Sequence, residues 1–560
     1  MGILITWREL TGAAPTKELL HGRVGRYPLQ PVLLGLARLS AQLITWQSRH
    51  NAAGELEAVR QMLPRYYPAI KQLTVANRDR VILSRITLLY VAKQALIACP
   101  RTGNNIDTQW DDEQIMTCCL MANDLLLGRV PSPDDTTIDK AASLLPFSNY
   151  LPDPDDPFDI PRNLIIINDI APRLASRRDY RNLAEEFRRA TNLTPQTFCE
   201  FVYCAATKFL TNLPEQNDAS GLILTSDYFQ HTSVRDGLTE FLNQHSISIA
   251  DLQATAQATA RRNDSLDDDF LLFQERPLVE FQPHHHMCID PGFLLDKAGR
   301  SFYWTLHSNT PPSGRKHLLG YWAAVVELYA QWMAARTYQG RGTLTNNPRF
   351  PNNDEACDLM IKEGSRLMLI EIKAGILSKK AKYSFDAELL KGELLRKALH
   401  GDEEERKGIA QLHRTIRRFH DGEPINGLTT AQISTVYPVI VFLDKSFTSP
   451  YLGTLYRDHF DRTTFKRRPV TTAPYAITIS DLENILPYTH RHALADIFDE
   501  YYRCNRLADG TGALGRFAYA NVPLLRDTPR GRDVVRERFK QFHNDLISNT
   551  FPPSVSARTD

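Results

Sequence analysis

Between about residues 30 and 125 the apolar side chains recur three or four positions apart, as in Leu33, Leu36, Leu39 and Leu43 and again in Ile82, Ile86 and Leu89. That spacing predicts helices with one stripe turned to a core. It returns between about 164 and 262 in Leu183, Phe187, Phe198, Phe201 and Val202, closing with LQATAQATARR. Residues 128–163, in between, hold seven prolines and seven aspartates. No regular element is expected to pass through them, because proline removes a backbone donor and crowds the preceding turn. After residue 270 the runs shorten to LVEF and FYWTL, aromatic and β-branched stretches that predict a small sheet. A strong helical pattern follows in HLLGYWAAVVELYAQWMAAR. Two apolar runs around Gly364 then read as a hairpin, helical patterns span 386–400 and 403–420, and TVYPVIVFLD reads as an apolar strand. The fold class expected is α+β, with a mostly α-helical N-terminal half.

With 560 residues the chain exceeds what one core usually organises, so two to four domains are expected. A composition 42% hydrophobic and 23% charged argues against disorder and fibrous classes. Lys and Arg number 66 against 65 Asp and Glu, so any site for a polyanion has to be local. Eight cysteines without a C-x-x-C pair are too sparse for a disulfide scaffold and suggest a reducing compartment. Neither a leader nor a membrane span is apparent, since Arg80, Arg85 and Lys93 interrupt the most apolar helical stretch. A cytoplasmic protein is expected.

The informative chemistry lies in residues 354–375, DEACDLMIKEGSRLMLIEIKAG. Strand alternation puts Glu371 and Lys373 on one face with Leu367 and Leu369, and Met368, Ile370 and Ile372 on the other. A tight hairpin folds Asp358 back toward Glu371, and two converging carboxylates suit a hard cation. In the preceding helix Glu327 sits among small residues, Ala323, Ala324 and Ala330, so burial on two sides is expected. A carboxylate so placed needs a partner, a proton or a metal.

Asp358, twelve intervening residues, Glu371-Ile372-Lys373, and a preceding helix with Glu327 together resemble the PD-(D/E)XK nuclease superfamily, over roughly residues 315–490. Cys357 stands where that superfamily's eponymous proline sits. The resemblance implies a C-terminal α/β restriction-endonuclease-like core of order αβββαβ with a mixed central sheet, and YAITISDLENIL is similar to its terminal strand and helix. Implied at the site are Asp358, Glu371 and the carbonyl of Ile372 as ligands of Mg²⁺, with Mn²⁺ as an alternative. Lys373 would orient the attacking water, Glu327 would hold a further ligand water or second ion, and Gln411 would be a polar residue facing the site. Domain bounds follow as 1–127 helical, 128–163 linker, 164–266 helical, 267–314 a small β-rich connector, 315–500 the nuclease-like domain and 501–560 a basic extension.

Function is expected to be Mg²⁺-dependent endonucleolytic hydrolysis of nucleic acid, DNA favoured, in anti-phage defence or restriction, with the helical half as sensor or recognition region. Alternatives are repair or mobile-element processing, or a non-catalytic binding protein on an inactive nuclease fold. Residues 373–420 carry twelve basic and seven acidic side chains, which makes Lys379, Lys380, Lys382, Arg414, Arg417 and Arg418 a candidate phosphate track. Partners expected are nucleic acid, a protein trigger and a second copy of the chain, with no membrane. His284, His285 and His286 with Cys288 are weaker zinc candidates, since neighbouring strand residues point apart. Gly510–Gly515 matches G-x-G-x-x-G without the strand that should precede it.

Overall fold

A computed structural model describes residues 3–48, 52–76, 80–100, 112–127, 134–149, 156–211, 220–230, 232, 234–261, 270–402, 405–406, 408–449, 451–465, 468–509, 522–525 and 531–550. The chain is a mixed α+β protein, helical through its N-terminal half, with its largest sheet in the C-terminal half. Its first helices, among them Leu29–Ser48, Arg85–Ala98 and Asp112–Leu127, enclose one apolar cluster. At its centre Asn123 is fully satisfied: its amide donates to the carbonyls of Ile5 and Ile82 at 2.8 and 2.9 Å and its oxygen accepts from Thr87 at 2.6 Å.

Two expectations fail here. Helices Thr137–Asn149 and Asp156–Leu164 occupy the proposed linker. Ala141, Ala142 and Leu145 of the first pack under the C-terminal sheet and Ile160 and Leu164 of the second join the main core, so buried apolar contacts outweigh the prolines. The connector is not predominantly β. Leu278–Gln282 and His285–Cys288 do form a hairpin, but FYWTL lies in helix Ser301–Asn309. Phe302 there stacks on Phe187 with centroids 4.1 Å apart, and packing overrides the strand preference of aromatic residues.

Label the elements that build the site in chain order: α1 (Arg315–Thr337), β1 (Thr343–Asn346), β2 (Leu359–Glu363), β3 (Arg366–Lys373), α2 (Lys379–Tyr383), α3 (Ala387–Leu394), α4 (Ile409–His420), β4 (Thr435–Phe442), β5 (Val470–Thr471), β6 (Tyr475–Thr478) and α5 (Ile479–Ile485). In the sheet the order is β5-β4-β3-β2-β1, with β6 also paired to β4. β1, β2 and β3 form an antiparallel meander, and β4 runs parallel to β3 with Ile440 beside Glu371 and Phe442 beside Lys373. Gly364, at φ +59, makes the β2–β3 turn, where a residue with a Cβ would be strained.

Alternation along β3 sorts the core. Met368, Ile370 and Ile372 join the cluster under α1, while Leu367 and Leu369 join the cluster under α3 and α4. The first of these runs without a break from Ile160 and Phe187 through Trp322 to Phe498 and Phe542. Its continuity crosses the expected bounds at 163, 266, 314 and 500. Residues 252–293 likewise contribute Leu252, Phe273, Val279 and Phe293 to the N-terminal cluster. The sequence segments therefore share cores and do not fold as a chain of separate beads.

Candidate metal centre

Asp358 immediately precedes β2, and extending the β2–β3 register by one residue sets it across from Glu371. The hairpin does fold the two together. The Asp358 carboxylate accepts the Ile372 backbone N–H at 2.5 Å, and the Lys373 ammonium donates to Glu371 at 2.5 Å. Both acids are buried, Glu371 to 1% exposure, and its second carboxylate oxygen has no hydrogen-bond partner. Thr415 of α4 donates to the Ala356 carbonyl at 2.7 Å and clamps the strand that delivers Asp358.

Glu327, from the middle of α1, approaches the same point. Ligand oxygens of Glu327, Glu355 and Asp358 lie within 4.8 Å of one another, the one such group of three among the described residues. Gln331, one turn further along α1, donates to Glu327 at 3.3 Å and to the Asp358 carbonyl at 3.0 Å, and also bonds Asn347. It holds the helix against the strand. The second stripe of α1 is less buried than its small residues suggest: Gly320 and Ala323 are exposed and Glu327 is half-buried.

Charge is badly balanced here. Burial, then Asp358 and Glu355, push the Glu327 carboxyl up to about 7. Burial, then Glu371, drives Asp358 well above the usual carboxylate range, and burial also raises Glu371 against the pull of Lys373. For Lys373 burial works against the charge, but Glu371 and Asp358 more than offset it and its pKa rises. Four carboxylates thus face one ammonium. An all-oxygen donor set with an orphaned buried carboxylate oxygen fits a hard divalent cation.

Of the residues expected from the sequence, Glu327, Asp358, Glu371, Ile372 and Lys373 come together. Gln411 lies on α4 one turn before Thr415 and makes no hydrogen bond to the carboxylates. Glu355 was not expected. Its signal was the pair Asp354-Glu355 just before Asp358, of which an alternating strand could show only one to the site. Gln331 carried no signal beyond its place one turn after Glu327.

The candidate phosphate track divides. Lys382 is bound to the buried Asp444 at 2.8 Å, and Arg418 pairs with Glu423 at 2.7 Å and Asp354 at 2.9 Å while lying over the Phe350 ring. Those two are structural cations, because a buried or doubly paired charge is already satisfied. Lys379 stands 3.9 Å from Glu275, and Lys380, Arg414 and Arg417 are exposed. The histidine run does not make a zinc site: His284 takes the hairpin turn at φ +63 and His286 is buried between strands. Gly510–Gly515 lies outside the described residues.

No family profile, curated protein or solved structure matches this chain. No helix among the described residues is long and apolar enough to cross a membrane.

Proposed function

We propose that this chain is a metal-dependent nuclease that hydrolyses phosphodiester bonds, with DNA the favoured substrate. The observation that carries the reading is the convergence of Asp358 and Glu371 at the end of paired strands, with the Lys373 ammonium 2.5 Å from Glu371 and Glu327 and Glu355 alongside. A meander following a long helix, then helices and a strand parallel to β3, supports it, since that is the element order of the superfamily that the sequence resembles.

Asp358, Glu371 and Glu327 would hold a divalent cation, with Glu355 a fourth candidate and the Ile372 carbonyl a further oxygen. Mg²⁺ fits the oxygen set, and Mn²⁺ shares that preference. Such a cation supplies Lewis acidity toward a phosphoryl oxygen and lowers the pKa of water. The chain's own groups do the rest. Lys373, held by Glu371, places positive charge where the phosphate gains negative charge. Glu327, whose carboxyl is pushed up to about 7 by burial and its acidic neighbours, would release its proton on taking the cation, and the attacking water would give its proton to solvent. The water oxygen bonds to phosphorus, the phosphorus–oxygen bond to the leaving alcohol breaks, and that alcohol takes up a proton.

One such site cuts one strand, so a double-strand break calls for two copies. We assign recognition of substrate or trigger, in the setting of cytoplasmic defence against foreign nucleic acid, to the helical half. The test is incubation of the full chain with supercoiled plasmid, single-stranded DNA and RNA in Mg²⁺, Mn²⁺ or EDTA. Cleavage in either metal and none in EDTA is expected. A folded protein inert on all three substrates in both metals overturns the reading.

A further inference from the structure

Beyond the C-terminal ends of β3, β4 and β6 lies a cavity of about 700 Å³, bounded by the post-strand segments at Leu377, Asp444 and Ser480 on one side and by the helical half on the other. None of Glu327, Glu355, Asp358, Glu371 and Lys373 lines it. Its size falls within the range of about 300–1,000 Å³ typical of small-molecule pockets, and the carboxyl ends of parallel strands are a favoured place for them.

Seven cations line it together with five carboxylates; Lys379 stands 3.9 Å from Glu275 and Lys445 acts on Asp296. Arg162, Arg300 and Lys382 are each matched by a carboxylate, of Glu483, Asp296 and Asp444 respectively. Lys297 and Arg276 form no ion pair among the described residues, although Asp296 and Glu275 act on Lys297 through space. Lys297, only 9% exposed, donates to the Glu275 carbonyl at 2.9 Å, and Arg276 to the carbonyls of Asn243 and Ser246 at 2.6 and 3.1 Å. An ammonium has three donors and a guanidinium five, so both keep unused donors at the cavity wall. Between Asn243 and Ser246 sits His245, also part of the lining, 6% exposed and with both ring nitrogens unpartnered. Two buried or half-buried cations whose bonds so far go only to neutral carbonyls, beside an imidazole with unpartnered nitrogens, leave room for an anion to stabilise them.

The aromatic part of the wall points the same way. Trp304 is 40% exposed, and Tyr303 lies 5.4 Å from both Trp304 and Trp322, so a ladder of rings borders the space. We propose that this cavity binds a small aromatic molecule carrying an oxyanion, of mononucleotide size, with Lys297 and Arg276 holding the anion and the Trp304 face receiving the ring. The site is separate from the candidate metal centre and does not depend on the nuclease reading.

Titration calorimetry of the full chain with AMP in EDTA tests it. AMP is expected to bind, Lys297→Met to weaken binding about tenfold or more, as loss of a charged hydrogen bond implies, and Glu371→Gln to leave it unchanged. Arg276→Gln, at a less buried position, should weaken it too and serves if Lys297→Met does not fold. Absence of AMP binding by the wild type at millimolar concentration overturns the proposal, as does wild-type affinity in a folded Lys297→Met or Arg276→Gln protein. Loss of AMP binding in Glu371→Gln would move the anion to the metal centre and overturn it equally.

Discussion

Helix α1 feeds two buried charge clusters only two residues apart in sequence. Tyr329 donates to Glu483 at 2.6 Å, Glu483 receives two bonds from Arg162 at 2.7 and 2.6 Å, and Arg162 also reaches Asp159 and Ser480. There the guanidinium fork meets a carboxylate face to face and nearly every polar atom has a partner. Glu327 points to the other cluster, where four carboxylates share the single ammonium of Lys373 and one Glu371 oxygen has no partner. Neighbouring positions on one helix therefore meet opposite chemistry. The Arg162 cluster is closed and ties the helical half to α5, whereas the Glu371 cluster keeps an excess of carboxylates that could hold a cation.

The comparison is broken most severely at the Glu371 cluster. Glu371→Gln or Lys373→Ala should lower cleavage by about 10²–10³-fold or more, the loss expected when a group that stabilises transition-state charge is removed. In EDTA, however, Glu371→Gln should leave the melting temperature unchanged or raise it, because it relieves like-charge crowding. A large drop in melting temperature would make Glu371 a structural residue like Glu483.

Arg162→Met should do the reverse. Leaving Asp159 and Glu483 buried without their cation should destabilise the fold by about 3–5 kcal/mol in urea unfolding, while the folded fraction keeps its cleavage rate. Unchanged stability would mean that the closed cluster is not what joins the halves.

A smaller effect sharpens the contrast through pH. With its carboxyl raised from the ordinary 4.5 to about 7, Glu327 keeps its proton in the folded chain where the unfolded chain has released it. Stability of the metal-free protein should therefore fall as pH rises from about 4.5 to about 7, by about 1–2 kcal/mol once its half-exposure is discounted. Glu327→Gln should make that fall shallower, the raised Asp358 and Glu371 carboxyls supplying the remainder, and Mg²⁺ should oppose the loss, since it binds the deprotonated acids. Urea titrations at several pH values, with EDTA or Mg²⁺, read all three.

The smallest effect concerns the surface. Arg414→Gln and Arg417→Gln should each lower the log–log salt slope of DNA binding by about one if the side chain touches a phosphate. Arg418→Gln should leave the slope alone, because Glu423 and Asp354 already hold that guanidinium. A slope that responds to Arg418 and ignores the other two would place the track elsewhere.

Period-two alternation and a glycine turn were enough for the β2–β3 hairpin, and so for the pairing of Asp358 with Glu371, because a strand register leaves little freedom once one face is buried. The length and apolar stripe of α1 were equally local signals. By contrast, the helices at Thr137–Asn149 and Ser301–Asn309 went against proline content and aromatic strand preference. Contacts far away in sequence, such as Leu145 under the sheet and Phe302 on Phe187, decided them. Glu355 entered the site, and Arg418 and Lys382 left the phosphate track, for the same reason. A side chain's partner is set by what the fold brings within a few ångströms, and charge counted along the chain does not record it. Local periodicity thus determined the hairpin, the long helix and the residue types at the candidate centre. Tertiary structure alone decided which charges are paired, which remain open to a ligand, and that one apolar cluster runs from Ile160 to Phe542 across the expected domain bounds.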